Sequence, residues 1–199
     1  KVALFSPLED KKLPSGIGAL YLGGGFPEVY ARRLSQNGPM RRLIRQAIEA
    51  GMPVYAECGG LMFLARSLQE TGGRSHPMVG MIPAKIRMSD RLQNFGYQQV
   101  KARQRNWMMR PGETARGHEF HHSRLQAVPA EATAAYEVTK AGNGAKRLEG
   151  YARKSLIASY IHLHFWSCPR WAGRFVQAAR DWRHNASTDV GKVRISKGE

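Results

Sequence analysis

Val54-Tyr55-Ala56-Glu57-Cys58-Gly59-Gly60-Leu61-Met62-Phe63-Leu64-Ala65 is the stretch on which the fold turns. Val54-Tyr55-Ala56 reads as a buried strand, Cys58-Gly59-Gly60 as a sharp turn, and Leu61 to Ala65 as the buried start of a helix. Upstream, Ala19-Leu20-Tyr21-Leu22 is another short apolar run, stopped by Gly23-Gly24-Gly25. Pro27 suits the first position of a helix and Glu28 complements its positive end; Asn37-Gly38 closes it. A second helix follows, with Met40, Leu43, Ile44, Ala47 and Ile48 as its apolar stripe and Gly51 and Pro53 as its stop. Strand, helix, strand, helix in this order predicts a parallel sheet with crossover helices.

Downstream the pattern changes. Between Met78 and Val138, the pieces Val79 to Ile82, Tyr97 to Val100 and His118 to His121 are strand-like and set among Pro and Gly, which predicts antiparallel strands and loops. Leu156 to Ile161 reads as one further strand, and Arg170 to Trp182 as a helix with Trp171, Phe175, Val176 and Ala179 on one face. Residues 1–184 are expected to form one domain and 185–199 a polar, frayed tail. The whole chain has 199 residues, 42% of them hydrophobic and 23% charged, a globular profile rather than a disordered one. No apolar run reaches the roughly 18 residues of a membrane span. Two cysteines cannot make a disulfide framework, so a reducing, cytoplasmic setting is expected.

Lys+Arg 31 against Asp+Glu 15 leaves a net charge of +16, a field that draws polyanions. The cations are spread from Arg32 to Arg183, however, without RNP aromatics, zinc-finger spacing or basic heptads, which argues against a dedicated nucleic-acid face. Chemistry concentrates instead at Cys58. A nucleophile elbow needs a strained strand-to-helix turn with small neighbours, and Cys58-Gly59-Gly60 supplies it. A helix N-terminus behind the sulfur is expected to favour the thiolate; lowering the thiol pKa by two units corresponds to about 2.7 kcal/mol. Cys168, beside Pro169, has no elbow.

His162-Leu163-His164 ends the last apolar strand, where alternation puts both imidazoles on one face, beyond the carboxyl ends of parallel strands like Cys58. His162 is the expected base and His164 a group to orient it. Neither cysteine has zinc-type spacing, so no metal site is expected. The Gly23-Gly24-Gly25 turn suits an oxyanion hole built from backbone N–H groups. No G-x-x-x-x-G-K-[ST] motif is present, and Gly191-Lys192-Val193 fails at its last position.

Five segments in order, Leu22 to Glu28, Ala56 to Met62, Arg91 to Tyr97, Arg116 to His121 and Ser159 to Phe165, resemble the glutamine amidotransferase domain of the cobyrinate a,c-diamide synthase family, including its hydrogenobyrinate-acting members in cobalamin biosynthesis. The resemblance covers Phe5 to Arg183 and implies an α/β, flavodoxin-like three-layer sandwich with a mostly parallel central sheet. It also implies that Cys58 attacks the side-chain amide of L-glutamine, with His162 as proton carrier and the backbone of Gly24, Gly25 and Gly59 at the oxyanion. His118, Glu119 and His121 are its substrate-side candidates. Released ammonia would amidate the a- and c-carboxylates of an anionic corrinoid, activated by ATP and Mg²⁺ in a synthetase domain; no cofactor is expected in this chain. The wider class carries Glu two residues after the catalytic His, where this sequence has His164. The chain begins at what looks like the second strand of such a domain, so the first strand and the synthetase domain are expected to lie outside it. Two other readings predict different behaviour: another Cys-His hydrolase of similar fold would release no ammonia for transfer, and a basic nucleic-acid-binding module would be indifferent to loss of Cys58.

Overall fold

A computed structural model describes residues 1–126 and 133–195, with 187–195 as backbone alone. Its centre is a four-stranded sheet in the order β1 (Leu20–Leu22), β2 (Val54–Glu57), β12 (Leu156–Ser159), β11 (Tyr151–Arg153), parallel except for the β11–β12 pair. All four β2 residues are buried because both faces of this sheet are covered, and hence they read as a continuous apolar run. Val54 and Ala56 point into one core with Leu61, Ile44 and Ile86; Tyr55 points into another with Val100, Val138, Ile157 and Trp171.

Helices α1 (Ala31–Gln36) and α2 (Gly38–Glu49) connect β1 to β2. Asn37 lies between them, its side chain accepting from Met40 N at 3.4 Å and donating to the Pro7 and Asp10 carbonyls at 2.8 Å. Met40, Ile44 and Ile48 form the buried stripe of α2, and Gly51, at φ +94°, turns the chain into β2.

Helix α3 (Gly59–Leu64) is buried along its length and shorter than expected: Ala65 is already extended and opens β3 (Ala65–Gln69). That strand joins β4 (Ser75–Pro77), β5 (Ile82–Met88) and β8 (Ser123–Gln126) in a sheet ordered β4-β3-β5-β8. The antiparallel middle is a second added sheet ordered β10-β9-β6-β7-β13, built from β6 (Asn94–Ala102), β7 (Thr114–His121), β9 (Tyr136–Lys140), β10 (Lys146–Glu149) and β13 (His162–Leu163).

Leu156 to Ile161 does not continue as one strand. After Ser159 the backbone leaves the central sheet: the Glu149 carboxylate accepts from Tyr160 N at 2.8 Å and the Ser159 hydroxyl from Ile161 N at 2.9 Å, replacing the ladder. His162 and Leu163 then pair with His118 and Gly117 of β7. The last helix, α4 (Pro169–Ile195), runs well past Trp182, so the backbone of 185–195 is helical where a frayed tail was expected; residues 196–199 lie outside those described. Trp171 is its buried anchor, whereas Val176, expected on the same face, is exposed.

Candidate active site

Cys58 stands between β2 and α3 with φ 45° and ψ −101°, a left-handed backbone that costs a non-glycine residue about 1–2 kcal/mol. Its neighbours hold it there. Cys58 N donates to the Ser159 carbonyl at 2.7 Å, tying the elbow to the end of β12, and the Cys58 carbonyl accepts the first α3 bond from Met62 N at 3.0 Å. The two glycines permit close approach: a Cβ on Gly59 would lie 2.7 Å from the Gly25 carbonyl oxygen, and one on Gly60 2.2 Å from that of Leu22.

The Gly23–Gly25 loop thus packs its backbone on the residue after the nucleophile. It also meets the predicted base, since a Cβ on Gly24 would fall 2.2 Å from His162 Cε1. The Gly24-Gly25 turn is thus set against both Gly59, the residue after Cys58, and the His162 ring. The ring of His162 is stacked face to face with that of His118, 4.8 Å away between centroids and within 7° of parallel. His164 does not share this place. Because the chain turns into a 3₁₀ segment (Phe165–Ser167), its side chain is exposed and its N–H donates to the Arg116 carbonyl at 2.8 Å.

Glu57, quoted within the elbow but assigned no role from sequence, lies beneath His162. It is buried and accepts from Tyr21 Oη at 2.7 Å, Tyr55 Oη at 2.8 Å and Leu163 N at 2.8 Å; its Oε2 is 3.9 Å from His162 Nδ1. Only the adjacency of an acid to the elbow cysteine hinted at it.

The electrostatics correct one expectation. Burial pushes the Cys58 thiol up to about 11; the Gly59 N–H, which favours the thiolate, opposes this, and Glu28, Glu119 and Glu57 push the same way as burial. The six-residue α3 does not offset that burial. Sγ is directed at the Phe120 carbonyl, 3.9 Å away, and no Cys58–His162 hydrogen bond is present among the described residues. His162 is lowered from the usual histidine range by burial, with His118 and His121 adding to this and Glu57 opposing it. At neutral pH the site therefore holds a neutral thiol beside a neutral imidazole.

Of the three substrate-side candidates only His118 faces outward. Glu119 is 1% exposed and binds His121 Nε2 at 2.9 Å, Gln98 Nε2 at 3.2 Å and the Arg147 guanidinium. His121 is buried too, stacked on Tyr160 with Nδ1 2.8 Å from the Ser123 carbonyl. Strand alternation is the reason, since β7 exposes Arg116, His118 and Phe120 and buries the residues between. Among the described residues no three His, Cys, Asp or Glu side chains converge as a metal site requires.

The sequence profile described as "CobB/CobQ-like glutamine amidotransferase domain" matches residues 1–169. A cobyrinate a,c-diamide synthase of Caldanaerobacter subterraneus subsp. tengcongensis is 42% identical over 172 residues, 86% of this chain and 38% of that protein. One from a Synechococcus species is 41% identical over 176 residues, 88% of this chain and 38% of that protein. The chain thus spans less than half the length of these relatives. Among solved structures, a crystal structure of a glutamine amidotransferase superposes with a TM-score of 0.57 at 17% identity, covering 83% of this chain and 80% of that one, a likeness of fold alone.

Proposed function

This chain belongs to the CobB/CobQ-like glutamine amidotransferase family, and from that premise we propose that it is the glutamine-hydrolysing part of an ATP-dependent amidoligase acting on the a- and c-carboxylates of cobyrinate or hydrogenobyrinate. In this reading Cys58 Sγ attacks the side-chain amide carbon of L-glutamine while its proton passes to His162. His162 then protonates the departing nitrogen, which leaves as ammonia, and a glutamyl thioester remains. Water attacks the thioester, His162 taking its proton and returning one to the sulfur, so glutamate leaves and the thiol is restored. Backbone N–H groups of the Gly24-Gly25 turn and of Gly59 receive the charge on the tetrahedral oxygen.

With the thiol pushed up to about 11 and His162 lowered, attack and proton transfer proceed together from the neutral pair. The observation that carries the reading is the one loop whose backbone abuts both Gly59 and the His162 ring. Ammonia would pass to carboxylates activated by ATP and Mg²⁺ in a synthetase domain beyond this sequence, an enzyme of the cytoplasm; no helix among the described residues is long and apolar enough to cross a membrane.

The test is release of glutamate and ammonia from glutamine by the complete native polypeptide. Cys58→Ser is expected to lower turnover at least about 10³-fold with the fold intact. Undiminished hydrolysis in that variant would overturn the assignment.

A further inference from the structure

Glu57 has no lysine or arginine partner among the described residues, although it is buried. Its oxygens are held by neutral donors: the Tyr21 and Tyr55 hydroxyls and the Leu163 N–H. Neutral donors fix the direction of a buried carboxylate without forming an ion pair with it. Among the described residues, the basic side chain that it faces is His162, through Nδ1 at 3.9 Å. The strand makes this arrangement unavoidable: Tyr55 and Glu57 alternate onto the face of β2 opposite Val54 and Ala56, and β13 crosses that face with Leu163 bonded to Glu57 and His162 beside it.

We propose that Glu57 is the positioning residue for His162, holding Nδ1–H so that Nε2 is the nitrogen that exchanges protons with Cys58 and glutamine. This rests on the glutaminase reading above. Nucleophile and orienting carboxylate are then adjacent in sequence, Glu57 ending β2 and Cys58 forming the turn after it, while the Gly24 backbone lies at the Cε1 edge of the imidazole and the His118 ring stacks on its face. The 3.9 Å separation closes by about 1 Å when the imidazole takes up a proton and the pair becomes charge-assisted.

The test uses the complete native polypeptide with Glu57→Gln, Glu57→Asp and Tyr21→Phe, read by steady-state glutamine hydrolysis against pH and by ¹⁵N NMR titration of the His162 ring. The ionisable groups that bear on that ring are Glu57, His118 and His121, with Tyr21 and Tyr55 acting through Glu57; only the Glu57 pathway is altered. Glu57→Gln is expected to lower kcat about a hundredfold with KM for glutamine within about twofold. It should also move the acid limb of kcat/KM and the His162 titration to lower pH, because the anion that favours the imidazolium is gone. Glu57→Asp should recover part of kcat. Tyr21→Phe, which removes one donor and leaves the carboxylate more negative, should move the His162 titration upward, and it reads out the coupling even if Glu57→Gln does not fold. If wild type hydrolyses glutamine but Glu57→Gln keeps kcat within threefold and neither variant shifts the His162 titration, the proposal is wrong. If wild type releases no ammonia, the glutaminase reading fails instead, and an unshifted His162 titration would still overturn the Glu57–His162 coupling.

Discussion

A single carbon added at Gly60 would sit 2.2 Å from the Leu22 carbonyl oxygen, whereas one added at Gly25 meets nothing within 4 Å. The first clash is with backbone at the end of a buried strand and cannot be relieved by a rotamer change. Gly60→Ala is therefore expected to cost at least about 3 kcal/mol in denaturant unfolding, and Gly25→Ala about 0.5 kcal/mol or less. Cys58 gives a second prediction at this scale. A thiol pushed up to about 11 by burial holds little thiolate at neutral pH, so its alkylation by iodoacetamide at pH 7.5 should run about a hundredfold slower than that of free cysteine, accelerating as pH approaches 11. The elbow itself was legible from Cys58-Gly59-Gly60, because a reactive side chain followed by two glycines between an apolar strand and an apolar helix start fits a tight strand-to-helix turn. The direction of the thiol shift was not, since it depends first on burial and then on the approach of Glu28 and Glu119, both of which arise only in three dimensions.

Elements here are fastened by a few polar clamps, and the one at α4 is testable. Glu113, just before β7, accepts from Arg174 Nη1 at 2.6 Å and Nη2 at 2.8 Å, from Trp171 Nε1 at 2.9 Å and from Arg110 N at 2.9 Å. The Arg174 guanidinium foremost holds its carboxyl down at about 2 rather than the ordinary 4.5. A depressed carboxylate stabilises the folded state above its unfolded pKa and loses that contribution as pH falls through the folded one. Glu113→Gln should thus cost about 2 kcal/mol at pH 7, and the gap to wild type should close between about pH 4.5 and 2, as measured by urea unfolding at a series of pH values. The helix stripe of α2 followed from periodicity, β2 from its apolar run, and the end of β7 from the strand-like His118 to His121. The early end of α3 did not, because the Phe63, Leu64 and Ala65 carbonyls accept from the Val79, Met81 and Gly80 N–H groups of a later segment; nor did the break after Ser159, where the Glu149 and Ser159 side chains replace the ladder.

Across the whole molecule, the central sheet is shared between two cores: Leu156 and Ala158 face one, Ile157 the other. Trp182 packs on the first and Trp171 lies in the second. Such sharing predicts one unfolding transition, with tryptophan fluorescence and far-UV circular dichroism coinciding. Ile157→Ala should lower stability by about 2–5 kcal/mol while keeping the two probes together; separated transitions would show that the cores unfold independently. The net charge of +16 acts at this scale as well: like charges spread over one small body repel, so raising NaCl from 10 to 300 mM is expected to raise the Tm.

Local chemistry was decided along the chain: where glycine permits a turn, which residues repeat at the spacing of a helix or strand, and that a cysteine at such a turn with two histidines near a later strand end is a candidate for acyl chemistry. What tertiary structure alone decided is which of those side chains meet. His162 reaches the elbow and His164 does not, Glu119 and His121 turn inward, and Glu57 rather than a residue near the histidines faces the imidazole. Sequence spacing reports the face of an element, but distance, desolvation and the company of distant charges arise only when separate elements are packed against one another.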